Sequence, residues 1–425
     1  MSVDISTSIA GVKMRSPLGV AAMLPSMNRW YPDAPLEDLV EKIYQKWLDN
    51  GVGYLKACTI SPGFAEYDRV NYGPIVQVAP GVHGYYTATT YKIVYRPQEV
   101  IPIIDVLKEL SLKNQNVPLI CSITAPTPDT KPWSEMAKLV EDRGADLIEL
   151  NTFAPCEAAL LKDRLPPEDA KWGAAIGSEP RILGPIVEAV VKAVKIPVGV
   201  KLTPDAGYPG ILKVLDVCSK GGARFVDMFH QTFAVAPPDI YNGGKGPYLT
   251  TDGWNPVGMM GGEWNVYHSF KGAVLTSMHF PELEIFSGGG ITRREQVIQN
   301  IMFGARAVET MSSLFFRGNP FLRQSLKFLK NYMEMQGYQA LEDFRGIGMQ
   351  YITTGEESYE KTKHLKFIAE TDEAKCTGCG LCVEAVCPAS YIEDRIGKID
   401  PGRCNGCGLC LFICPEGARK IVPAK

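Results

Sequence analysis

The 425 residues carry 44 Lys and Arg against 47 Asp and Glu, a formal net charge of −3 with a pI near 6.1. That balance gives no electrostatic reason to expect nucleic acid or an anionic membrane surface as partner, and no apolar run reaches the roughly 18–20 residues of a membrane span. The chain is longer than one hydrophobic core usually holds, so a large domain and a smaller one are expected, in the cytoplasm.

Short apolar runs alternate with amphipathic stretches over most of the chain. The predicted strands are Gly19–Met23, Tyr54–Ala57, Leu119–Ile123, Leu147–Leu150, Val198–Lys201, Phe225–Phe229, Glu284–Phe286 and Ala307–Thr310. Between them lie helical patterns at Leu36–Asp49, Pro97–Leu110, Trp133–Asp142, Arg181–Val194, Pro209–Cys218 and Arg293–Met302. Eight β runs, mostly followed by a helix, read as a (β/α)8 TIM barrel over residues 1–317. An open doubly wound sheet is the alternative, and the count of eight favours closure.

Three connections are long: Thr59–Arg96, Thr152–Glu179 and Gln231–Tyr267. Each leaves the C-terminal end of a strand, the face on which barrel active sites assemble, and long connections in compact domains tend to be functional. Tyr85, Tyr86, Tyr91, Tyr241, Trp254 and Trp264 either line a pocket for a flat substrate or pack the lid. Residues 318–370 read as a helical extension and a charged tether.

The last segment, 371–425, holds eight of the twelve cysteines. Cys376, Cys379, Cys382 and Cys387 precede Pro388; Cys404, Cys407, Cys410 and Cys414 precede Pro415. This C-x2-C-x2-C-xn-C-P pattern wraps two [4Fe–4S] clusters in a ferredoxin-like module, the fourth Cys of each run crossing to the other cluster. One set is therefore Cys376, Cys379, Cys382 and Cys414, the other Cys404, Cys407, Cys410 and Cys387. A disulfide scaffold needs an oxidising compartment, which nothing at the N-terminus suggests. Zinc does not call for a third Cys at the same short spacing. Four residues separate Cys382 from Cys387, one more than usual. Cys58, Cys121, Cys156 and Cys218 are scattered, as buried free thiols are.

Four features at predicted strand ends point to one cofactor. Lys201 ends strand five in Lys-Leu-Thr-Pro-Asp, where an ammonium can face N1 and O2 of a reduced flavin. Ser287-Gly288-Gly289-Gly290 follows strand seven and Thr310-Met311-Ser312-Ser313 follows strand eight. Backbone N–H groups there form the phosphate cradle of such barrels. Asn151 ends strand four. Together they indicate FMN. No G-x-G-x-x-G opens a helix after a strand, so no dinucleotide site is expected. Electrons would then come from or go to a partner flavoprotein subunit or a ferredoxin.

On these residues the chain resembles the dihydropyrimidine dehydrogenase and dihydroorotate dehydrogenase family. It looks most like the iron–sulfur catalytic subunits of bacterial NAD-dependent dihydropyrimidine dehydrogenases. The shared segments include Ala10–Met14, Gly144–Asn151, Lys201–Pro204, Gly221–Ala223, Gly289–Ile291 and Gly337–Leu341, followed by the two-cluster tail. The resemblance implies that Ala22, Thr59, Asn151, Lys201, Gly262, Gly289, Gly290, Met311 and Ser312 contact FMN. It also implies a homo- or hetero-oligomer.

Departures fall on the substrate half of the site. Where the family carries Asn-x-Ser-Cys-Pro, with the Cys as proton donor, this chain has Asn151-Thr152-Phe153-Ala154-Pro155-Cys156. Phe229-His230-Gln231 replaces an Asn-Thr pair, and Cys58 stands where the relatives have a Lys. His230 is the first candidate for the general acid, Cys156 the second, and Tyr85 or Tyr86 the third. His83, His268 and His279 read as surface or lid residues. The expected function is a flavin- and cluster-dependent oxidoreductase acting on a C=C or CH–CH bond of a conjugated, cyclic substrate. Two alternatives stand beside it: a true dihydropyrimidine dehydrogenase subunit with a relocated acid, and an electron-transfer or assembly subunit with a vestigial barrel.

Overall fold

The parallel strands lie side by side in one nearly closed barrel in the computed structural model. It describes residues 3–22, 36–62, 75–77, 84–88, 94–125, 127–152, 173–229, 231–246, 253–254, 258–385 and 387–424. The barrel strands are Leu18–Val20, the split pair Leu55–Lys56 and Thr59–Ile60, Leu119–Ile123, Leu147–Asn151, Val198–Lys201, Phe225–Met228, Glu284–Ser287 and Ala307–Thr310. Neighbours from the second to the eighth pair in parallel, and the eighth pairs with the first through Val308 and Leu18. At the seam between the first and second strands, the Gly53 N–H donates to the Leu18 carbonyl at 2.8 Å. The barrel reading, not the open sheet, is the right one.

Size matching fills the interior. A Cβ on Gly19 would lie 2.3 Å from the Tyr54 ring, and one on Gly199 would lie 2.1 Å from Phe225. Two glycines thus leave room for two rings, which meet Phe286 at centroid distances of 5.2 and 5.4 Å. Ile9 and Met14, on the two arms of the N-terminal hairpin Thr7–Ile9 and Val12–Met14, join the same apolar layer with Ile120 and Leu147. Outside the barrel, the helix Pro97–Lys113 starts with Pro at N1, where its missing N–H costs nothing. It buries Val100, Ile103, Ile104, Leu107 and Leu110 at the spacing of one helical face.

Some elements depart from expectation. The first and third long connections form an antiparallel sheet of Thr232–Ala234, Gly258–Gly262, Gly84–Ala88 and Ile75–Gln77, in that order. Gly258 pairs with Ala88 and Gly262 with Gly84. The third connection also ends in a helix, Val266–His279, whose buried face is made largely of small residues, Ser269, Gly272, Ala273 and Thr276. That face gives no apolar stripe to read. The sixth strand stops at Met228, one residue short of the predicted Phe229, and the fourth runs on to Asn151.

The chain divides into two units, Met1–Gln350 and Tyr351–Lys425. In the first, the helix Pro320–Gln336 buries Leu322, Leu329 and Met333 in the outer barrel core. The second unit pairs Phe367–Thr371 with Arg419–Pro423, and Ser390–Glu393 with Ile396–Ile399, both antiparallel. Among the described residues, no helix is long and apolar enough to cross a membrane.

Candidate active site and cluster module

Lys201 leaves the fifth strand at the C-terminal face, with Asn151 as its register partner on the fourth. Asn151 Nδ2 donates to Thr59 Oγ1 at 3.0 Å, and Thr59 Oγ1 lies 3.0 Å from Ser122 Oγ. The hydroxyl of Thr152 donates to the Lys201 carbonyl at 2.8 Å. Thr59, Asn151 and Lys201, three of the predicted site residues, therefore sit together at the barrel mouth. All three are buried.

Beneath them lies a layer of buried charge that strand-end reasoning does not reach. Lys56 Nζ donates to Glu149 Oε2 at 2.5 Å, Asp227 Oδ2 at 2.8 Å and Glu309 Oε2 at 2.5 Å. Lys201 Nζ lies 3.2 Å from Asp227 Oδ2 and also pairs with Glu309 Oε1. Lys56 is also 4.9 Å from the centroid of the Phe286 ring. Burial alone would lower both ammonium pKa values, but the carboxylates outweigh it, and both lysines are held above their ordinary range. Burial raises Glu149, yet Lys56 and Lys201 bring its net shift downward. For Asp227 burial wins over the same two cations, and its carboxyl is shifted up. The signal in the sequence was four charged residues inside otherwise apolar strands, at the inward phase: Lys56, Glu149, Asp227 and Glu309.

The second strand is interrupted at Ala57-Cys58, between its two short segments. Cys58 is consequently part of the outer core with the helices, and burial drives its thiol pKa upward. It does not stand in the mouth in place of a lysine. Cys121 and Cys218 are also buried free thiols.

The glycine-rich turn after the seventh strand packs against the lid. Gly289 and Gly290 have φ of 75° and 81°. A Cβ on Gly290 would lie 2.4 Å from the Gly262 carbonyl, and one on Gly289 would lie 2.6 Å from the Phe229 carbonyl. Ser269 Oγ donates to the Gly288 carbonyl, and Thr310 Oγ1 donates to the Ile291 carbonyl at 3.0 Å. Gly262, Gly289 and Gly290 are thus in one place. Met311 and Ser312 open the short helix after the eighth strand, and Ala22 follows the first. The chemistry of this set suits a flavin mononucleotide: one cation and amide donors at the mouth, and side-chain-free backbone where a phosphate approaches. His230, Ala154, Cys156 and Tyr91 lie outside the described residues, as do the side chains of Tyr85 and Tyr86. His268, in the lid helix, sets its ring edge-on to Trp264 at 5.6 Å.

In the second unit, one cavity is lined by Cys376, Cys379, Cys382 and Cys414, the other by Cys387, Cys404, Cys407 and Cys410. Each three-Cys loop carries two left-handed glycines, Gly378 and Gly380 at φ of 69° and 82°, Gly406 and Gly408 at 69° and 79°. In the first loop the Gly378 N–H meets Cys376, and further amides reach the sulfurs from outside the loops. Gly397 N–H donates to Cys376 Sγ, Ala369 N–H to Cys404 Sγ and Ala418 N–H to Cys414 Sγ, each at 3.3 Å. Hydrogen bonds from Gly397 and Gly378 hold the Cys376 thiol below its ordinary pKa, and one from Ala389 does the same for Cys387. Arg419 Nη2 donates to Cys382 Sγ at 3.0 Å. A closed set of four sulfurs met by such donors suits an iron–sulfur cubane.

Comparison with known proteins agrees with both units. A family model of the 4Fe-4S dicluster domain matches residues 368–415, and one of dihydrouridine synthase (Dus) matches residues 102–226. The C-terminal unit thus carries a 4Fe-4S dicluster domain. The chain is similar to the NAD-dependent dihydropyrimidine dehydrogenase subunit PreA of Escherichia coli, 22% identical over 385 residues, covering 90% of this chain and 85% of that one. It is similar to the chloroplastic dihydropyrimidine dehydrogenase (NADP(+)) of Arabidopsis thaliana, 23% identical over 377 residues, 85% of this chain and 80% of that one. It is also similar to the catalytic subunit of dihydroorotate dehydrogenase B (NAD(+)) of Thermoplasma volcanium, 24% identical over 355 residues, 81% of this chain and 99% of that one. These relatives are dehydrogenases, in agreement with the oxidoreductase expected from the strand ends.

Proposed function

We propose that this chain is an FMN- and [4Fe–4S]-dependent oxidoreductase acting on a C=C or CH–CH bond of a conjugated, cyclic substrate. Electrons reach or leave it through two clusters and a partner flavoprotein subunit or ferredoxin, in the cytoplasm. The observation that carries the reading is the buried Lys201 ammonium at the barrel mouth, beside Asn151 and Thr59, on the same chain as a 4Fe-4S dicluster domain.

Bound at that mouth, a flavin supplies hydride exchange with carbon and single-electron exchange with the clusters. Lys201 would balance the negative charge of the reduced ring, and Asn151, Thr59 and Ala22 would orient it. Gly262, Gly289, Gly290, Met311 and Ser312 would leave backbone room for its phosphate. Cys376, Cys379, Cys382 and Cys414 would hold one cluster, and Cys404, Cys407, Cys410 and Cys387 the other. The proton to the neighbouring carbon falls to His230 first and to Cys156 second, because Ala154 has no proton to give.

A second reading, the catalytic subunit of a dihydropyrimidine dehydrogenase with a relocated acid, is favoured by similarity along 90% of the chain to the subunit PreA. One experiment separates them. The protein is purified without oxygen, assayed for flavin and iron, reduced with dithionite, and reoxidised against a panel of unsaturated ring compounds. Rapid reoxidation by uracil or thymine selects the second reading, and by another conjugated ring the first. Iron without flavin would leave only an electron-transfer or assembly role.

A further inference from the structure

Three acids and two bases share the interior of the barrel. Lys56, Glu149, Lys201, Asp227 and Glu309 are all buried. They are the buried lysines and the buried carboxylic acids among the described residues. Fully ionised, two ammoniums against three carboxylates leave one uncompensated negative charge among buried groups. A buried unpaired charge is costly, and the ordinary remedy is to neutralise it with a proton.

The geometry says where that proton resides. One carboxylate oxygen from each acid lies within 4.8 Å of the others. Both oxygens of Glu309 are taken by the lysines. Glu149 gives one oxygen to Lys56 and Asp227 gives one to both lysines, while Glu149 Oε1 and Asp227 Oδ1 are buried and, among the described residues, accept no hydrogen bond from a donor. Two acceptors with no donor between them are an open hydrogen bond that one proton would close.

We propose that Glu149 and Asp227 share one proton at neutral pH, so that the five-residue network is neutral and acts as a proton store beneath Lys201. The remaining titratable neighbour is Tyr54, whose hydroxyl donates to the Val308 carbonyl at 3.1 Å. Burial and Glu309 raise Tyr54, which keeps it protonated.

Neutrality has a consequence at the mouth, and this part rests on the flavin reading. A flavin that has taken two electrons and one proton carries one negative charge. When the Lys201 ammonium turns to that charge, the network beneath loses one positive charge. It restores its balance by taking a second proton from solvent. Two electrons are then accompanied by two protons, one on the ring and one on the carboxyls. Asp227 and Glu149 act through Lys201 and are positioning residues.

The test is infrared spectroscopy of the full-length protein in D2O, which reads the C=O stretch of protonated carboxyl groups. The wild type at neutral pH is expected to show that band, and Asp227→Asn to lose it. Glu309→Gln is the sharper variant. It leaves two acids and two bases, so Glu149 and Asp227 should both ionise and the band should vanish with both residues present. A folded wild type without the band overturns the proposal, as does a folded Glu309→Gln that keeps it. The second readout is the flavin midpoint potential against pH. A slope near 59 mV per pH unit is expected in the wild type, against about 30 mV in Lys201→Met, which has no ammonium to withdraw from the network, since a tenfold change is about 30 mV for two electrons. Equal slopes near 30 mV overturn the store. Protein that shows the band but holds no flavin would refute the flavin reading and leave the shared proton standing.

Discussion

Lys56 and Lys201 share the carboxylate of Glu309, one on each oxygen. The first lysine is sealed inside the barrel and the second stands at its mouth, so one acid ties the interior charge to the candidate chemistry. Replacing Lys56 by Met would leave three acids facing one cation. Breaking a buried ion network by removing one partner costs about 3–5 kcal/mol. The sign with pH follows from the shifts. Lys56 is raised in the fold, so its contribution is complete below the unfolded lysine pKa and is lost only at alkaline pH. In Lys56→Met the surplus carboxylates bind protons more readily when folded, so stability recovers as pH falls. Urea midpoints measured at about pH 8 and about pH 5 should show the larger deficit at the higher pH. An equal deficit at both would count against the charge count.

Lys201→Met should separate the two lysines. This side chain is the cation of the pair that reaches the predicted cofactor, so the variant should retain its clusters but accept electrons at the flavin more slowly, by about tenfold or more. Stopped-flow reduction of the flavin by a reduced partner or dithionite measures it. Lys56→Met, where it folds, should affect that rate less.

The barrel itself was legible because its strands are short apolar runs of regular spacing, and Leu119–Ile123, Val198–Lys201 and Ala307–Thr310 fall where the pattern puts them. Charge hidden within such runs was not. Lys56 follows Tyr54 and Leu55 in a strand that reads as apolar, and only the closed barrel brings it to Glu149, Asp227 and Glu309 from three other strands. The break at Ala57-Cys58 escaped for a different reason: a local irregularity that turns one residue outward leaves no periodic trace. The lid sheet pairs Gly84–Ala88 with Gly258–Gly262, segments far apart in the chain, and nothing local in either names its partner.

Gly290→Ala tests the turn after the seventh strand. At φ 81° an alanine is strained, and its Cβ would fall 2.4 Å from the Gly262 carbonyl. Strain of this kind costs about 1–3 kcal/mol, and relief means moving the turn away from Gly262. The expected outcome is protein with its iron intact and its flavin content sharply reduced, read by absorbance after denaturation. Full flavin in a folded variant would remove this turn from the phosphate site.

Arg419→Ala probes the cluster module. The guanidinium donates to Cys382 Sγ at 3.0 Å and to Thr371 Oγ1 at 2.7 Å, and is itself buried. Cys382 lines the cavity with Cys376, Cys379 and Cys414, so the positive charge is applied to that sulfur set. Hydrogen bonds and positive charge at cluster sulfur favour the reduced state. Losing them should lower the potential of that cluster by about 40 mV, the one-electron equivalent of roughly 1 kcal/mol. Arg419→Lys keeps the charge but not the planar fork, so it should recover part of the shift. Redox titration followed by electron paramagnetic resonance resolves the two proposed clusters. The variant should widen the gap between them if the Cys376 set is already the lower in potential and narrow it otherwise. Equal shifts in both would mean that Arg419 acts through the general field of the module rather than through Cys382.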